Sequence, residues 1–275
     1  MQNKLAFILF LLQKKLILFF AVFTFFAGGN EALTVTDYDG NVYRTVTIGT
    51  QIWLLENLKV THYRNGDPIT EVRDSINWVS LINGAWCHYN NDPMNGAVYG
   101  NLYNWYAIED SRGLAPAGWH VPSDEEWKTL EIYLGMSEIE ANMTDWRGTD
   151  QGAQLKETGT IHWQWPTGNE ATNSTGFTAL PGGWRIYFLY TGSFYNINTT
   201  GEWWSSTEKD ASGAWLRNLC VYHADIYRIS FGKTHGCSVR CISDSPVGIK
   251  NGVLFCIMFF IVSYFFLVSH FPRKT

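Results

Sequence analysis

The chain has 275 residues, 46% of them apolar and 16% charged, which allows one large domain or two small ones and excludes a disordered, solvating chain. Its formal net charge is −5, but the stretch between Leu33 and Ile249 holds 24 acidic against 14 basic residues. Such an acidic stretch lacks the basic patches that nucleic acid requires, so nucleic acid is excluded as a partner.

At the N-terminus, Lys14 and Lys15 precede Leu16 to Ala27, an apolar run. It has the length of a signal-peptide h-region and is short for a membrane span. Residues 1–32 are therefore expected to be a signal peptide or signal anchor. Phe25 stands where a cleavage site wants a small residue, and no cysteine follows to carry a lipid.

Next, "LTVTDYDGNVYRTVTIGTQIWLLENLKVTHY" alternates apolar and polar residues, punctuated at Asp39-Gly40 and Gly49-Thr50. That pattern predicts a β-meander or a pair of hairpins. Asp37, Asp39 and Asn41 are spaced like the first ligands of a calcium loop. The closing glutamate is missing, because that position is Ile48, so a turn is expected instead. "AWCHYNNDPMNGAVYGNLYNWYAI" is dense in Asn and aromatics and predicts an Asn/Pro/Gly loop followed by a short aromatic core segment.

"APAGWHVPSDEEWKTLEIYLG" reads as a helix start. Ser123 and Glu126 form a capping box, and Asp124, Glu125 and Glu126 place negative charge in the first turn, where the helix dipole favours it. Trp127, Leu130, Tyr133 and Leu134 recur at helical spacing, and Gly135 ends the run. His120 has no metal-ligand partner at a usual spacing, so the acids are assigned to helix initiation and not to a site. A second helix is expected over Gln151 to Glu157, stopped by Gly159. A long region rich in Gly, Asn, Thr and aromatics follows, from Thr160 to Glu208. Three strand-like runs come next, "AWLRNLCVY", "IYRISF" and "CSVRCI", with short turns at His223 to Asp225 and Lys233 to Gly236. They predict an antiparallel meander. Strands, two helices, long loops and strands in that order argue an α+β fold.

Cys87, Cys220, Cys237 and Cys241 lie in the stretch expected to be exported, where an even number favours disulfides. Residues four apart on a strand are roughly 13 Å apart, so Cys237 and Cys241 do not pair with each other. Two pairings remain, of which Cys87–Cys241 with Cys220–Cys237 is preferred, with reduced thiols as the alternative. Beyond them, Gly252 to Ser269 is free of charge and meets the lower limit for a membrane-spanning helix. Arg273 and Lys274 follow it and are expected on the cytoplasmic side, leaving 270–275 as a cytoplasmic tail.

Several segments together, "TVTIGTQIWLLENLKV", "YGNLYNWYAI", "PAGWHVPSDEEWKTLEIYLG", "LKETGT", "ATNSTGFTALPGGWR", "GEWWSSTE" and "SVRCI", resemble the Fibrobacter succinogenes major paralogous domain family, from about Asp37 to Ile242. The resemblance implies a C-type-lectin-like domain over residues 33–246, in an exported or surface protein of Bacteroidetes-type or Fibrobacter-type bacteria. It implies no catalytic residues. Members often carry Cys where this chain has Ala115, which weakens the pairing above.

A non-catalytic surface module binding carbohydrate or an envelope protein is the leading functional expectation. Sugar faces stack on aromatic rings while Asn and Asp supply hydrogen bonds. The candidates are Trp163, Trp165, Tyr187, Tyr190, Tyr195, Asn196 and Asn198 in the long region, with Tyr222, His223 and Asp225 in the late turn. No cofactor is expected: the lectin Glu-Pro-Asn and Trp-Asn-Asp motifs are absent, so calcium gains no support. The alternatives are a copper oxidase of the formylglycine-generating type using Cys237 and Cys241, and a purely structural envelope domain.

Overall fold

The structure, a computed structural model, describes residues 34–164, 171–186 and 192–245. The expected signal segment, the expected membrane helix and the tail lie outside the described residues. Among the described residues no helix is long and apolar enough to cross a membrane.

The first alternating stretch builds the meander β1 (Thr34–Thr36), β2 (Val42–Ile48) and β3 (Gln51–Leu54), all antiparallel. Its acids are consumed locally. Asp37 Oδ1 accepts the amide of Asn41 at 2.9 Å. Asp39 accepts the Thr61 hydroxyl at 2.9 Å and lies 2.5 Å from Nδ1 of His62. The turn expected in place of a calcium loop is what forms.

Next come β4 (Thr70–Glu71), α1 (Ser75–Val79), β5 (Ala85–Cys87), a 3-10 turn at Tyr89–Asn91, α2 (Pro93–Tyr99), β6 (Leu102–Tyr103), α3 (Trp105–Glu109) and β7 (Trp119–His120). The helices α1, α2 and α3 correct the expectation of two helices. Each runs only five to seven residues, too short to show a 3.6-residue period, and is started by one side chain: Asp74, Asp92 or Asn104.

Helix α4 (Asp124–Tyr133) starts as expected. Ser123 Oγ accepts the Glu126 amide at 3.2 Å, and Glu126 Oε2 accepts the Ser123 amide at 2.8 Å. A second capping box, Ser137 with Glu140, starts α5 (Glu138–Ala141). The strand β8 (Asp145–Arg147) and helix α6 (Gln151–Leu155) follow, then β9 (Gly182–Arg185), β10 (Phe194–Ile197), β11 (Thr200–Asp210), β12 (Gly213–Cys220), β13 (Ile226–Gly232) and β14 (Ile242–Ser243).

The described strands make three sheets: β1-β2-β3-β14-β7, β10-β9-β11-β12-β13-β8, and β4-β5-β6. Pairing is antiparallel except for β4 with β5 and β11 with β9. The fold is thus α+β with mainly antiparallel sheets. Two expectations are corrected here. The long region holds β11, an eleven-residue strand. "CSVRCI" does not extend the late meander: it leaves that sheet, and its last residue, Ile242, pairs with Trp53 of β3 and His120 of β7.

Alternation along β11 explains the double tryptophan. Successive side chains on a strand face opposite sides. Trp204 enters one apolar cluster with Leu54, Trp105, Leu216 and Val239, while Trp203 enters another with Trp53, Trp127, Trp163, Phe177 and Leu219. A third cluster gathers Trp78, Cys87, Tyr89 and Leu102.

Helix α4 is fastened to the six-stranded sheet by buried charge. Asp124 and Glu131 are seven residues apart, two helical turns, and so share one face. Glu131 accepts Arg147 Nη2 and Arg217 Nε, each at 2.5 Å. Asp124 accepts Arg217 Nη1 and Arg228 Nη2, each at 2.7 Å. Burial alone would raise the Asp124 pKa, but the hydrogen bonds from Arg228 and the nearby Arg217 charge hold it well below the usual carboxylate range. Helix initiation therefore accounts for Glu126 but not for Asp124, whose main contacts are with the sheet.

His120 also has partners that spacing did not reveal. Nε2 lies 2.9 Å from Glu126 Oε1 and Nδ1 lies 2.6 Å from Asp244 Oδ1, tying the helix start to the segment after β14. The Glu126 contact raises the His120 pKa against burial, and Asp244 adds to the rise. A group whose folded pKa is raised stabilises fully below its unfolded value, here 6.5, and the contribution fades as pH rises through the folded value. Replacing His120 with Ala is therefore expected to cost about 0.5–1 kcal/mol below pH 6.5, discounted because the ring is 39% exposed, and progressively less at alkaline pH. Thermal melts of both proteins across pH check this. A gap that is constant or widens with pH refutes it.

Candidate functional site

The turn between β12 and β13, "VYHAD" (Val221 to Asp225), is clamped from below. The buried amine of Lys156, just after α6, donates to the carbonyls of Cys220 at 2.9 Å and His223 at 2.7 Å. The amide of Ala153 donates to Ala224 O at 2.8 Å. Gly152 is required for this fit, since a Cβ there would lie 2.3 Å from the carbonyl oxygen of Asp225.

On this fixed turn the His223 ring stacks on Trp146, with centroids 3.6 Å apart and planes 6° from parallel. Register explains how Trp146 gets there. It sits on the edge strand β8 directly opposite Tyr227 of β13, whose ring lies 4.9 Å away. Two carboxylates flank the rings. Asp225 Oδ1 lies 3.2 Å from His223 Nδ1, and Asp145 Oδ1 accepts the Tyr227 hydroxyl at 3.1 Å. Burial first, and then Asp145, raise the Tyr227 pKa, so the phenol stays protonated and a donor. Tyr222 stands at the tip of the turn, 57% exposed.

The neighbouring turn at Asn198 reaches the same end of the sheet, because Thr200 pairs with Cys220 and the Val221 amide donates to Thr199 O at 2.9 Å. The structure therefore brings Tyr222, His223 and Asp225 together and places the turn carrying Asn198 beside them. Asn198 Oδ1 is occupied by the Tyr99 hydroxyl at 2.6 Å. Tyr195 and Asn196 lie on the outermost strand β10, with Tyr195 41% exposed. Trp165, Tyr187 and Tyr190 lie outside the described residues.

Trp163 is corrected. It is fully buried in the cluster beneath the turn, and its indole donates to Ala179 O at 3.0 Å, so no ligand can stack on it. Sequence reasoning missed Trp146 and Tyr227. The signal for Trp146 was a lone aromatic in the polar run "TDWRGTD", with no apolar residue at strand spacing and Met143 alone at helical spacing, too little to claim it for the core.

The disulfide expectation is corrected too. Cys87, Cys220, Cys237 and Cys241 are free thiols. Each preferred pair would have to join different apolar clusters: Cys87 belongs to one, Cys237 and Cys241 to another, and Cys220 packs against the third. Burial pushes the Cys87 thiol up to about 12 and raises Cys237 and Cys241 as well, which keeps them protonated. No group of three or more metal-type ligands among the described residues includes both Cys237 and Cys241.

One cleft of about 220 Å³ lies elsewhere, lined by Tyr38, His62, Arg64 and the Leu114–Ala117 loop. Its cation is committed to the fold, because Arg64 donates to the carbonyls of Ala115 and Trp119. The aromatic ledge is the better candidate.

The sequence model of one family, the Fibrobacter succinogenes major domain, matches residues 46–243, over the segments that carried the resemblance. Neither the curated proteins nor the solved structures gave a match.

Proposed function

We propose that this chain, which belongs to the Fibrobacter succinogenes major domain family, is a non-catalytic binding module of the cell envelope, exported and held to the membrane by its C-terminal apolar segment. Its fold is read as C-type-lectin-like, a scaffold that carries its ligand site on loops beside the late strands. The observation that carries the reading is the ledge of Trp146, Tyr222, His223 and Tyr227 at one end of the six-stranded sheet, flanked by Asp145 and Asp225. Rings offer apolar faces to a sugar, and carboxylates accept its hydroxyls. The ledge stands on clamped backbone, so little ordering entropy is lost on binding.

A second reading, a protein partner presenting Lys or Arg, is favoured by the same carboxylates and by the excess of acidic residues between Leu33 and Ile249.

A panel of glycans and plant polysaccharides, screened against the chain with and without calcium, tests the first reading. A bound glycan is expected to be held about 30-fold more weakly by Trp146→Ala, the equivalent of about 2 kcal/mol, with circular dichroism unchanged. Tyr222→Ala is expected to weaken it less. Binding that ignores both substitutions removes the ledge from consideration, and an empty screen moves the weight to the protein partner.

A further inference from the structure

Behind the tryptophan-rich strand β11, three chemically different side chains converge in the interior. Glu202 lies on the same face of β11 as Trp204, two residues on. Its Oε2 is 2.7 Å from His235 Nε2 and accepts the Cys237 thiol at 3.6 Å. Its Oε1 accepts Asn218 Nδ2 at 2.8 Å, Asn218 being its register partner on β12. The imidazole nitrogen, the carboxylate oxygen and the sulfur all lie within 4.8 Å of one another. All three residues are buried: Glu202 is 3% exposed, His235 2% and Cys237 not at all.

The positions are set by rigid elements. The His235 ring stacks on Phe231, with centroids 4.7 Å apart, and meets Trp204 edge-on at 6.1 Å. Backbone bonds pin the segment on both sides: Cys237 exchanges hydrogen bonds with Tyr103, and the Ser238 amide donates to Glu202 O at 3.0 Å. Donors held this way lose little freedom on binding an ion.

Two further observations point to a cation. Among the described residues, His235 is the one ion-pair partner of Glu202, with no Lys or Arg beside it, unlike Glu131. The oxygen of the neighbouring amide, Asn218 Oδ1, is buried with no hydrogen-bond partner among the described residues, and a buried acceptor left unpaired is costly. A divalent ion supplies the missing charge: one carboxylate, one thiolate and a neutral imidazole sum to zero with it, the least costly state for buried ions. Sulfur and nitrogen donors exclude calcium and magnesium, which take oxygen, and suit zinc.

We propose that Glu202, His235 and Cys237 form a buried structural site for a divalent transition metal of zinc type, fastening the segment after β13 to strand β11. On binding, the Cys237 S–H bond is broken and a metal–sulfur bond forms, and the thiol proton goes to solvent; any proton shared by His235 and Glu202 is displaced with it. No electron is transferred.

The test is titration of the chelator-treated full chain with Co²⁺, followed by Zn²⁺. One equivalent of Co²⁺ is expected to give a near-ultraviolet thiolate-to-cobalt charge-transfer band, which Zn²⁺ then abolishes. Zn²⁺ is expected to raise the Tm of the parent protein. Cys237→Ser is expected to lose the band, and Glu202→Gln, which keeps the side chain's shape, to bind at least tenfold more weakly. Absence of the band in the parent protein overturns the proposal and does not depend on any variant folding. A band of equal strength in Cys237→Ser overturns it as well, since the sulfur is then another cysteine.

Discussion

Replacing Glu131 with alanine is expected to lower the unfolding free energy by about 3–5 kcal/mol. Glu131 has no exposed surface and holds two guanidinium groups, Arg147 and Arg217. Arg217 also stands directly opposite Arg228 across β12 and β13. Like charges in that position repel unless anions lie between them. Asp124 and Glu131 are those anions, and Asp124 alone cannot serve Arg147, Arg217 and Arg228 from one end of α4. Burial already pulls the Arg147 pKa down to about 10 despite Glu131, a sign of how little solvation these cations have. Urea unfolding monitored by circular dichroism measures the loss. Glu125 on the same helix is the control: its side chain is 78% exposed and its contact is with Lys128, so Glu125→Ala is expected to stay within about 0.5 kcal/mol. A Glu131→Ala loss under about 1 kcal/mol sinks this account of how α4 is held.

Trp203→Ala is expected to be of similar severity, about 3–5 kcal/mol, or a Tm about 10 °C lower. The ring fills the second cluster, and its Nε1 donates to Asn57 Oδ1 at 2.8 Å. That same oxygen takes Arg240 Nη2 at 2.9 Å, and Arg240 is buried against Phe177 and Trp203. Truncation opens a cavity and removes apolar cover from a buried cation. Trp203→Phe separates the contributions: it keeps most of the ring volume, loses the hydrogen bond, and is expected to cost about 1–2 kcal/mol. Equal losses for the two substitutions, in melts read by circular dichroism, mean that the hydrogen bond and not the packing dominates.

The difference between what could and could not be read from the chain lies in the range of the interactions. Ser123 with Glu126, the meander β1 to β3 and the β12–β13 pair rest on contacts between close neighbours in sequence, so spacing reports them. Helices α1 to α3 are also local but too short for a period to appear. β11 was obscured because its residues serve two cores, which erases the alternation of apolar and polar that marks a half-exposed strand. The candidate ledge was half legible. Tyr222, His223 and Asp225 stand out as an aromatic and polar turn, whereas Trp146 joins them only through the pairing of β8 with β13, some eighty residues apart. The same holds for His120, whose partners are Glu126, six residues on, and Asp244 at the far end of the described chain. Trp163 was misplaced because an aromatic in a Gly- and Asn-rich stretch looks the same whether it caps a core or faces water.

The place of β14 has a consequence for the order in which the protein is made. The two residues Ile242 and Ser243 lie between β3 and β7, in the interior of the first sheet and not at its rim. During synthesis the opening strands therefore wait, with the inner edge of β3 unpaired, until almost the whole domain has emerged. Closing so long a loop is slow relative to local pairing. Shortening the chain by a few residues just before Asp244 would not trim a fringe; it would split a sheet, leaving two sticky borders in a half-built protein.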